Sequence, residues 1–329
     1  MSNKILVTGA AGFIGSYLVE RLVEKGEKVV VTIFSKDSIN YLRPGLANQT
    51  FVGDIRDIKF VEKAMKGCNR VYHLASAQNY LGISAEDFYT TNVEGTRNVM
   101  EVALKQGVKK VVHVSSSTAI KENKKRVDEN DLFRGWFDGP YSFSKYKGEK
   151  VAFEYGARGL AVVAVNPTIV YGPRQMRSLG QIFKNFIEPR VRFVGFKNMI
   201  LNLIYVKDVA EGIICAMQKG RTGHRYILGG HEMTLGQFIA LLDELTGTHK
   251  PIITVPEFLL KLGASLIEPL FKMVRLKPPL LKAQVSAMQR GAAADISKAR
   301  KELGLPVSSV REKLKETLDW YKMKGMIKF

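Results

Sequence analysis

Tyr141 and Lys145 stand four residues apart in the run Tyr141-Ser142-Phe143-Ser144-Lys145, directly after Asp138-Gly139-Pro140. The Gly-Pro pair reads as a helix start, since proline is tolerated in a first turn. On that helix the i, i+4 spacing puts both side chains on one face. A free phenol has a pKa of ~10 and is a poor base at neutral pH. A neighbouring ammonium and the positive end of the helix both favour the phenolate. Tyr141 can then exchange a proton with a substrate hydroxyl or carbonyl. Upstream, Val111-Val112-His113-Val114 reads as a strand running into Ser115-Ser116-Ser117-Thr118. A serine at such a strand tip can hydrogen-bond the same substrate oxygen; Ser117 is the expected one and Ser116 the fallback. A Tyr-x-x-x-Lys pair alone is usually just a helix face. Following a serine-tipped strand and a glycine turn, it becomes a catalytic set of Ser117, Tyr141 and Lys145.

The glycine turn lies at the other end of the same half of the chain. Lys4-Ile5-Leu6-Val7-Thr8 runs into Gly9-Ala10-Ala11-Gly12-Phe13-Ile14-Gly15, and Ile14, Leu18, Leu22 and Val23 then recur at helical spacing. Such a turn presents backbone N–H groups at a helix N-terminus, where the dipole and the unpaired donors favour a pyrophosphate. Gly9 is expected to make the tight turn, Gly12 to let the phosphates approach, and Gly15 to pack the helix close to its strand. Fortuitous glycines in a strand–turn–helix are the bland alternative.

Between these two motifs the chain alternates. Strands are expected at Ile5–Thr8, Lys28–Ile33, Phe51–Val52, Arg70–Leu74, Lys110–Ser115 and Ala161–Asn166, with helices near 13–25, 57–66, 86–106 and 140–157. This predicts a doubly wound, Rossmann-type α/β fold, a parallel sheet covered on both faces. Beyond Pro167 the pattern loosens. Strands near Leu201–Val206 and Arg225–Leu228 precede helices near 207–219, 234–246, 256–276 and 308–324. The expected organisation is a dinucleotide-binding domain over 1–166 and a smaller substrate lobe over 167–329, with some strands returning to the main sheet. The charged stretch Lys121–Asp131 reads as a surface loop.

Bulk properties narrow the function classes. At 329 residues and 46% hydrophobic content the chain can bury a sizeable core. Cys68 and Cys215 are the two cysteines, far apart and without metal-ligand spacing, so neither a disulfide nor a metal site is expected. With the first strand near residue 4 and no long apolar run, a cytoplasmic protein without secretory signal or membrane span is expected. The net charge of +19 draws anions in general. No nucleic-acid-binding signature accompanies it, and no nucleic-acid partner is expected.

These motifs, in this order, resemble the extended short-chain dehydrogenase/reductase family, the epimerase/dehydratase superfamily, over nearly the whole chain. Thr8–Gly15 is similar to the family's T-G-x-x-G-x-x-G, with Phe13 and Ile14 inside it, and Gly53-Asp54-Ile55 resembles its adenine-holding acidic segment. His73-Leu74-Ala75-Ser76 is similar to the H-x-A segment that lines the cofactor, and Asn92-Val93-Glu94-Gly95-Thr96 to the N-x-x-G-T helix. Pro167-Thr168-Ile169-Val170-Tyr171-Gly172-Pro173 resembles the R-P-x-x-x-Y-G-P segment beside the nicotinamide, except that Asn166 stands where arginine is usual. Ile204–Ala210 resembles the strand-to-helix entry to the substrate lobe. The resemblance implies that Lys145 also holds the nicotinamide ribose and that Tyr141 is the acid/base of hydride transfer. It implies cofactor contacts from Gly9, Gly12, Phe13, Ile14, Gly15, Asp54, Ile55, Leu74, Ala75, Ser76, Asn92, Pro167 and Val170, and a homodimer.

The second strand ends in Ile33-Phe34-Ser35-Lys36, without an early acid to accept from a ribose 2′-hydroxyl. Ser35 and Lys36 suit a 2′-phosphate, so NADP(H) is the expected cofactor, with NAD(H) the alternative. The substrate is expected to be apolar: steroid-like, flavonoid-like, isoprenoid or a long-chain keto compound. Trp136, Phe137, Phe143, Phe183, Phe186, Ile187, Phe193 and Phe196 would wall its pocket, or serve singly as core. Arg174, Arg177, Lys184, Arg190 and Arg192 would instead suit the diphosphate of a nucleotide-sugar epimerase, the competing reading. A non-catalytic cofactor sensor is the third. Phe258–Leu281, apolar but broken by charges, resembles the same region of hydroxysteroid-dehydrogenase-like and dihydroflavonol-reductase-like members. It is expected to cover the pocket or a dimer contact, with peripheral membrane contact as the second reading.

Overall fold

Alternation along the strands sets the architecture. The computed structural model describes residues 4–35, 41–78, 83–120, 126–131, 139–175, 183, 186–188, 192–260, 262–263, 265–266 and 291–329. Strands β1 (Lys4–Thr8), β2 (Lys28–Ile33), β3 (Gln49–Val52), β4 (Cys68–His73) and β5 (Lys110–Val114) pair in parallel. After β6 (Arg126–Val127), β7 (Val162–Pro167) extends the same sheet. Ile5, Val7, Val29, Val31, Tyr72, Val112 and Val163 point into one core, while Leu6, Val30, Val71, Val111 and Val162 point into the other. Each such side chain contributes about 1.5–3 kcal/mol when fully buried, and a one-residue slip of register would send every one into the opposite core.

Helices α1 (Phe13–Glu24), α2 (Ile58–Met65), α3 (Ala85–Tyr89), α4 (Gly95–Lys105) and α5 (Pro140–Ala157) follow the strands. Of these, α1 covers the first face and α2, α4 and α5 the second. The helix expected near 86–106 is an unbroken helical run over 85–105, widened by a π-turn at Thr90–Glu94 between α3 and α4. The widened turn brings Gly95 against Ile55, where a Cβ would lie 2.7 Å from the Ile55 side chain. Pro140 occupies the first turn of α5 behind Gly139, whose φ of 121° favours glycine.

Beyond Pro167 lie β8 (Ile169–Tyr171), β9 (Arg192–Val194), β10 (Ile200–Tyr205), α6 (Val206–Lys219), β11 (Arg225–Leu228) and β12 (His231–Thr234). They are followed by α7 (Leu235–Thr246), β13 (Ile252–Thr254), β14 (Ala293–Ala294) and α8 (Val310–Met323). Strand β11 closes the main sheet, whose order is β11-β7-β5-β4-β1-β2-β3. A three-stranded sheet, β12-β10-β8, and the pair β13-β9 stand apart from it. The stretch Lys121–Asp131 is not wholly a loop, because Arg126 and Val127 pair with β14 and the Val127 side chain is buried with Ile120 and Ile227. Residues 121–125 fall outside the described residues, as does most of the helix expected near 256–276; 257–260, 262–263 and 265–266 are helical. The strand order reverses between β1 and β4, which opens a crevice at the carboxyl ends of the strands.

Candidate active site

The glycine turn leads from β1 into α1 at that crevice. Gly9 has φ +69°, and a Cβ on it would lie 2.6 Å from the Ala75 nitrogen, so the turn fits tightly against the loop after β4. A Cβ on Gly15 would come within 2.3 Å of the Gly9 oxygen, so α1 starts directly on the turn. Gly12 is exposed and is the N-cap of α1, with no side chain capping the helix and no acid in its first turn. The amide groups of Phe13 and Ile14, both half-buried, are therefore left to a ligand. A turn with no room for a Cβ at Gly9 or Gly15 and with uncapped donors fits a dinucleotide pyrophosphate.

The other strand ends converge on the same edge. Ser35, half-buried, follows β2; Lys36 lies outside the described residues. Asp54 follows β3, and its carboxylate accepts from the backbone and side chain of Arg56 at 2.9 and 2.7 Å. Ile55 is buried beneath it. Leu74, Ala75 and Ser76 are half-buried after β4. Pro167 is buried at the end of β7, while Val170 in β8 is half-exposed.

His73 and Asn92 turn inward instead of lining open space. Thr96 Oγ1 donates to the Asn92 carbonyl at 2.7 Å, so His73 Nε2 donates to Thr96 Oγ1 at 3.0 Å, and His73 Nδ1 accepts from Thr8 Oγ1 at 2.8 Å. This chain of bonds fixes the tautomer and ties β1 to α4. Burial, reinforced by the Lys145 charge, pushes His73 down to about 3 and holds His113 well below the usual histidine range. Both rings are neutral. Asn92 donates to the Ala77 carbonyl at 3.0 Å and to Ser144 Oγ at 2.8 Å, and accepts from the Ala77 amide at 2.7 Å. Its amide hydrogens clamp the loop after β4 to the first turn of α5.

Helix α5 carries three functional groups on one stripe. Tyr141 is half-buried, its ring edge-on to Phe88 with centroids 5.9 Å apart. One turn on, Lys145 is 3% exposed and donates to the Val114 carbonyl at 2.8 Å. Burial pushes the Lys145 ammonium down to about 8, with the Glu149 charge opposing that shift. One turn deeper, Glu149 is 2% exposed, accepts from Asn166 Nδ2 at 2.7 Å and pairs with Arg225 at 2.9 Å. Asn166 also donates to the Ser116 carbonyl at 3.0 Å. Asn166, where the resemblance expects arginine, thus shares the Glu149 carboxylate with Arg225 from the neighbouring strand β11. Glu149 and Arg225 were missed in the sequence, although a carboxylate four residues after Lys145 was the available signal.

The serine tip resolves into distinct tasks. Ser116 is the N-cap of a 3₁₀ turn over Ser117–Ala119, and its hydroxyl accepts from the Thr118 amide at 3.2 Å and the Thr118 hydroxyl at 2.9 Å. Ser117, half-exposed, makes no side-chain hydrogen bond among the described residues. A cleft of about 370 Å³ lined by Ala85, Tyr89, Gly139, Pro140, Phe143 and Ser144 opens beside the turn that carries Tyr141.

The family model for NAD dependent epimerases and dehydratases matches residues 5–229. The chain belongs to this family. It is an enzyme of the extended short-chain dehydrogenase/reductase type. It is 32% identical to sterol demethylase protein B of Methylococcus capsulatus, covering 98% of this chain and 99% of the relative. It is 27% identical to the 4-hydroxy-2-methyl-3-oxo-4-farnesyl-3,4-dihydroquinoline-1-oxide ketoreductase of Stigmatella aurantiaca, covering 92% and 91% of the two chains. UDP-glucose 4-epimerase from Thermotoga maritima, solved with UDP-glucose, superposes with a TM-score of 0.78 at 27% identity, covering 98% and 99%.

Other expected pocket residues of this extended short-chain enzyme have other duties. Phe183 is fully buried, 6.2 Å from Phe238 and 5.5 Å from Tyr321 between ring centroids, and Ile187 is buried in the same core. Phe196 packs with Met199 and Leu260. Arg192 is buried against Asp243 at 2.7 Å, and Arg174 pairs with Glu20 at 2.8 Å across the Tyr17 ring. Trp136, Phe137, Arg177, Lys184, Arg190 and the Phe193 side chain lie outside the described residues.

Proposed function

We propose that this enzyme interconverts a secondary alcohol and a ketone on an apolar small molecule, with Tyr141 as the acid/base. The observation that carries the reading is Lys145, a buried ammonium held on the Val114 carbonyl one helical turn from Tyr141 at the end of β5. The residues at the crevice fit a nicotinamide dinucleotide: the bare glycine cradle for the pyrophosphate, Asp54 and Ile55 for the adenine, Ser35 and Lys36 for a 2′-phosphate. NADP(H) is the favoured form, because the end of β2 offers no early acid to a ribose 2′-hydroxyl. When bound, the nicotinamide supplies or accepts the hydride.

In the direction of reduction, Ser117 donates a hydrogen bond to the substrate carbonyl oxygen and Tyr141 gives it a proton. The phenolate left behind is stabilised by the Lys145 charge and by the positive end of α5. The neutral rings of His73 and His113 add no competing charge beneath it. Glu149 and Arg225 act as positioning residues: through Asn166 they hold the carbonyl of Ser116, next to Ser117, in fixed relation to the helix.

The printed names of the two relatives, a sterol-processing protein and a farnesyl-compound ketoreductase, support an apolar substrate. The competing reading, a nucleotide-sugar epimerase with retained NAD, draws on the likeness to the Thermotoga maritima enzyme. Against it, Arg174 and Arg192 are committed to internal carboxylates and offer nothing to a diphosphate. The test is a panel of apolar ketones and of nucleotide sugars, assayed by nicotinamide absorbance. Net oxidation with a ketone supports the proposal; turnover of a nucleotide sugar with no net absorbance change, by protein that retains its cofactor, overturns it.

A further inference from the structure

Ten large apolar side chains are exposed among the described residues, and six of them fall between 252 and 266: Ile252, Ile253, Phe258, Leu259, Leu262 and Leu266. Scattered exposed leucines need no explanation, but a contiguous group does. The helix begins at Pro256, whose carbonyl accepts from the amides of Leu259 and Leu260 at 3.0 and 3.3 Å. Leu260 is the inward residue. It packs with Phe196 and Met199, and a Cβ on Gly195 would lie 2.1 Å from it. Phe258, Leu262 and Leu266 recur at i, i+4 and i+8 and are 65%, 52% and 64% exposed, with Leu259 beside them. Among the described residues of this helix, Leu260 packs inward and the wider apolar stripe faces outward.

Charge selects the occupant. From Lys250 to Arg290 the sequence holds seven lysines and arginines against Glu257 and Glu268, within a chain of net charge +19. A second copy docking on the same patch would bring together two chains of net charge +19, which opposes association. An anionic bilayer offers what both features require: hydrocarbon for the stripe and negative headgroups for a chain of this net charge. We propose that Ile252, Ile253 and the Phe258–Leu259–Leu262–Leu266 stripe form a docking surface that lays the protein on an acidic lipid membrane. The proposal stands apart from the substrate assignment, since it rests on no residue of the active site.

The experiment is sedimentation of the full-length protein with vesicles of phosphatidylcholine containing phosphatidylglycerol, against vesicles of phosphatidylcholine alone. Binding is expected with the acidic vesicles and should fall as salt rises, as the Debye length shrinks from about 10 Å at 0.1 M to about 3 Å at 1 M. The exchanges Phe258→Ser and Leu262→Ser should each weaken binding roughly tenfold or more, with circular dichroism and nucleotide binding unchanged. In the unmodified protein, amides over 252–266 should gain protection from hydrogen exchange when acidic vesicles are added, a readout that survives if a variant fails to fold. Equal binding to both vesicles, no binding, or no gain in protection overturns the proposal. So does analytical ultracentrifugation showing a dimer that the same exchanges split.

Discussion

Replacing Lys145 by methionine should stabilise the protein while abolishing its chemistry. The Lys145 pKa falls from an ordinary 10.5 to about 8 because burial penalises the ammonium. At ~1.4 kcal/mol per unit, holding that charge in the fold costs about 3 kcal/mol wherever the lysine is protonated in both states. Methionine keeps the length and the apolar stem but removes the hydrogen bond to the Val114 carbonyl, a loss of about 1 kcal/mol. Glu149 keeps Arg225 and Asn166 as partners. The variant should therefore be more stable by about 2 kcal/mol at neutral pH, where the parent is protonated folded and unfolded alike.

The sign then changes with pH. Between about 8 and 10.5 the unfolded parent still binds a proton that the folded parent has released, so parental stability rises relative to the variant. The gap should shrink through this window, and at its upper end the variant should be less stable by about 1 kcal/mol, the hydrogen bond alone. Urea denaturation of both chains at several pH values measures it, and groups common to both cancel in the difference. A methionine variant that is less stable at neutral pH, or a gap that does not move with pH, would mean that water reaches Lys145 and that its burial does no electrostatic work.

Three further outcomes follow from the geometry. Gly15→Ala puts a Cβ within 2.3 Å of the Gly9 oxygen; it should lower stability by about 3 kcal/mol, the upper end for overpacking against backbone, and remove the rise in melting temperature expected when NADP(H) is added to the parent. Glu149→Gln leaves the four-fifths-buried Arg225 side chain without its counter-charge and should cost about 2–3 kcal/mol by urea denaturation, below the range for a fully buried pair; a change under about 0.5 kcal/mol would show that solvent screens the pair. Lys36→Glu should weaken NADP(H) by about 1.5–3 kcal/mol, the scale of a charge-assisted contact, and leave NAD(H) nearly untouched; equal losses in titrations with the two forms would show that Lys36 meets no 2′-phosphate.

The main sheet was legible because continuous apolar runs and glycine punctuation are local signals. Lys28–Ile33 and Arg225–Leu228 fall where the residues alone put them, and α5 starts at its proline. Less legible was anything decided by partners distant in sequence. Nothing within residues 86–106 announces a π-turn, because Ala77 and Ser144 hold Asn92 in place. The strand at Arg126–Val127 exists through Ala293 and Ala294, more than 160 positions away. At the site, the order of glycine turn, serine tip and Tyr-x-x-x-Lys pair was visible. The sharing of Glu149 by Asn166 and Arg225 was not, since it depends on β11 lying beside β7. The basic residues past Tyr171 showed only their charge, and burial against Asp243 makes Arg192 structural.

The most direct test of hydride transfer governed by Tyr141 uses NADPH carrying deuterium at C4 of the nicotinamide, with any ketone that the substrate panel identifies. Product alcohol should carry the label on its carbinol carbon. The Tyr141→Phe enzyme should form it about 10²–10⁴-fold more slowly while binding NADPH as tightly as the parent. Unlabelled product, or a phenylalanine variant that keeps most of the parental rate, would contradict the assignment of this site.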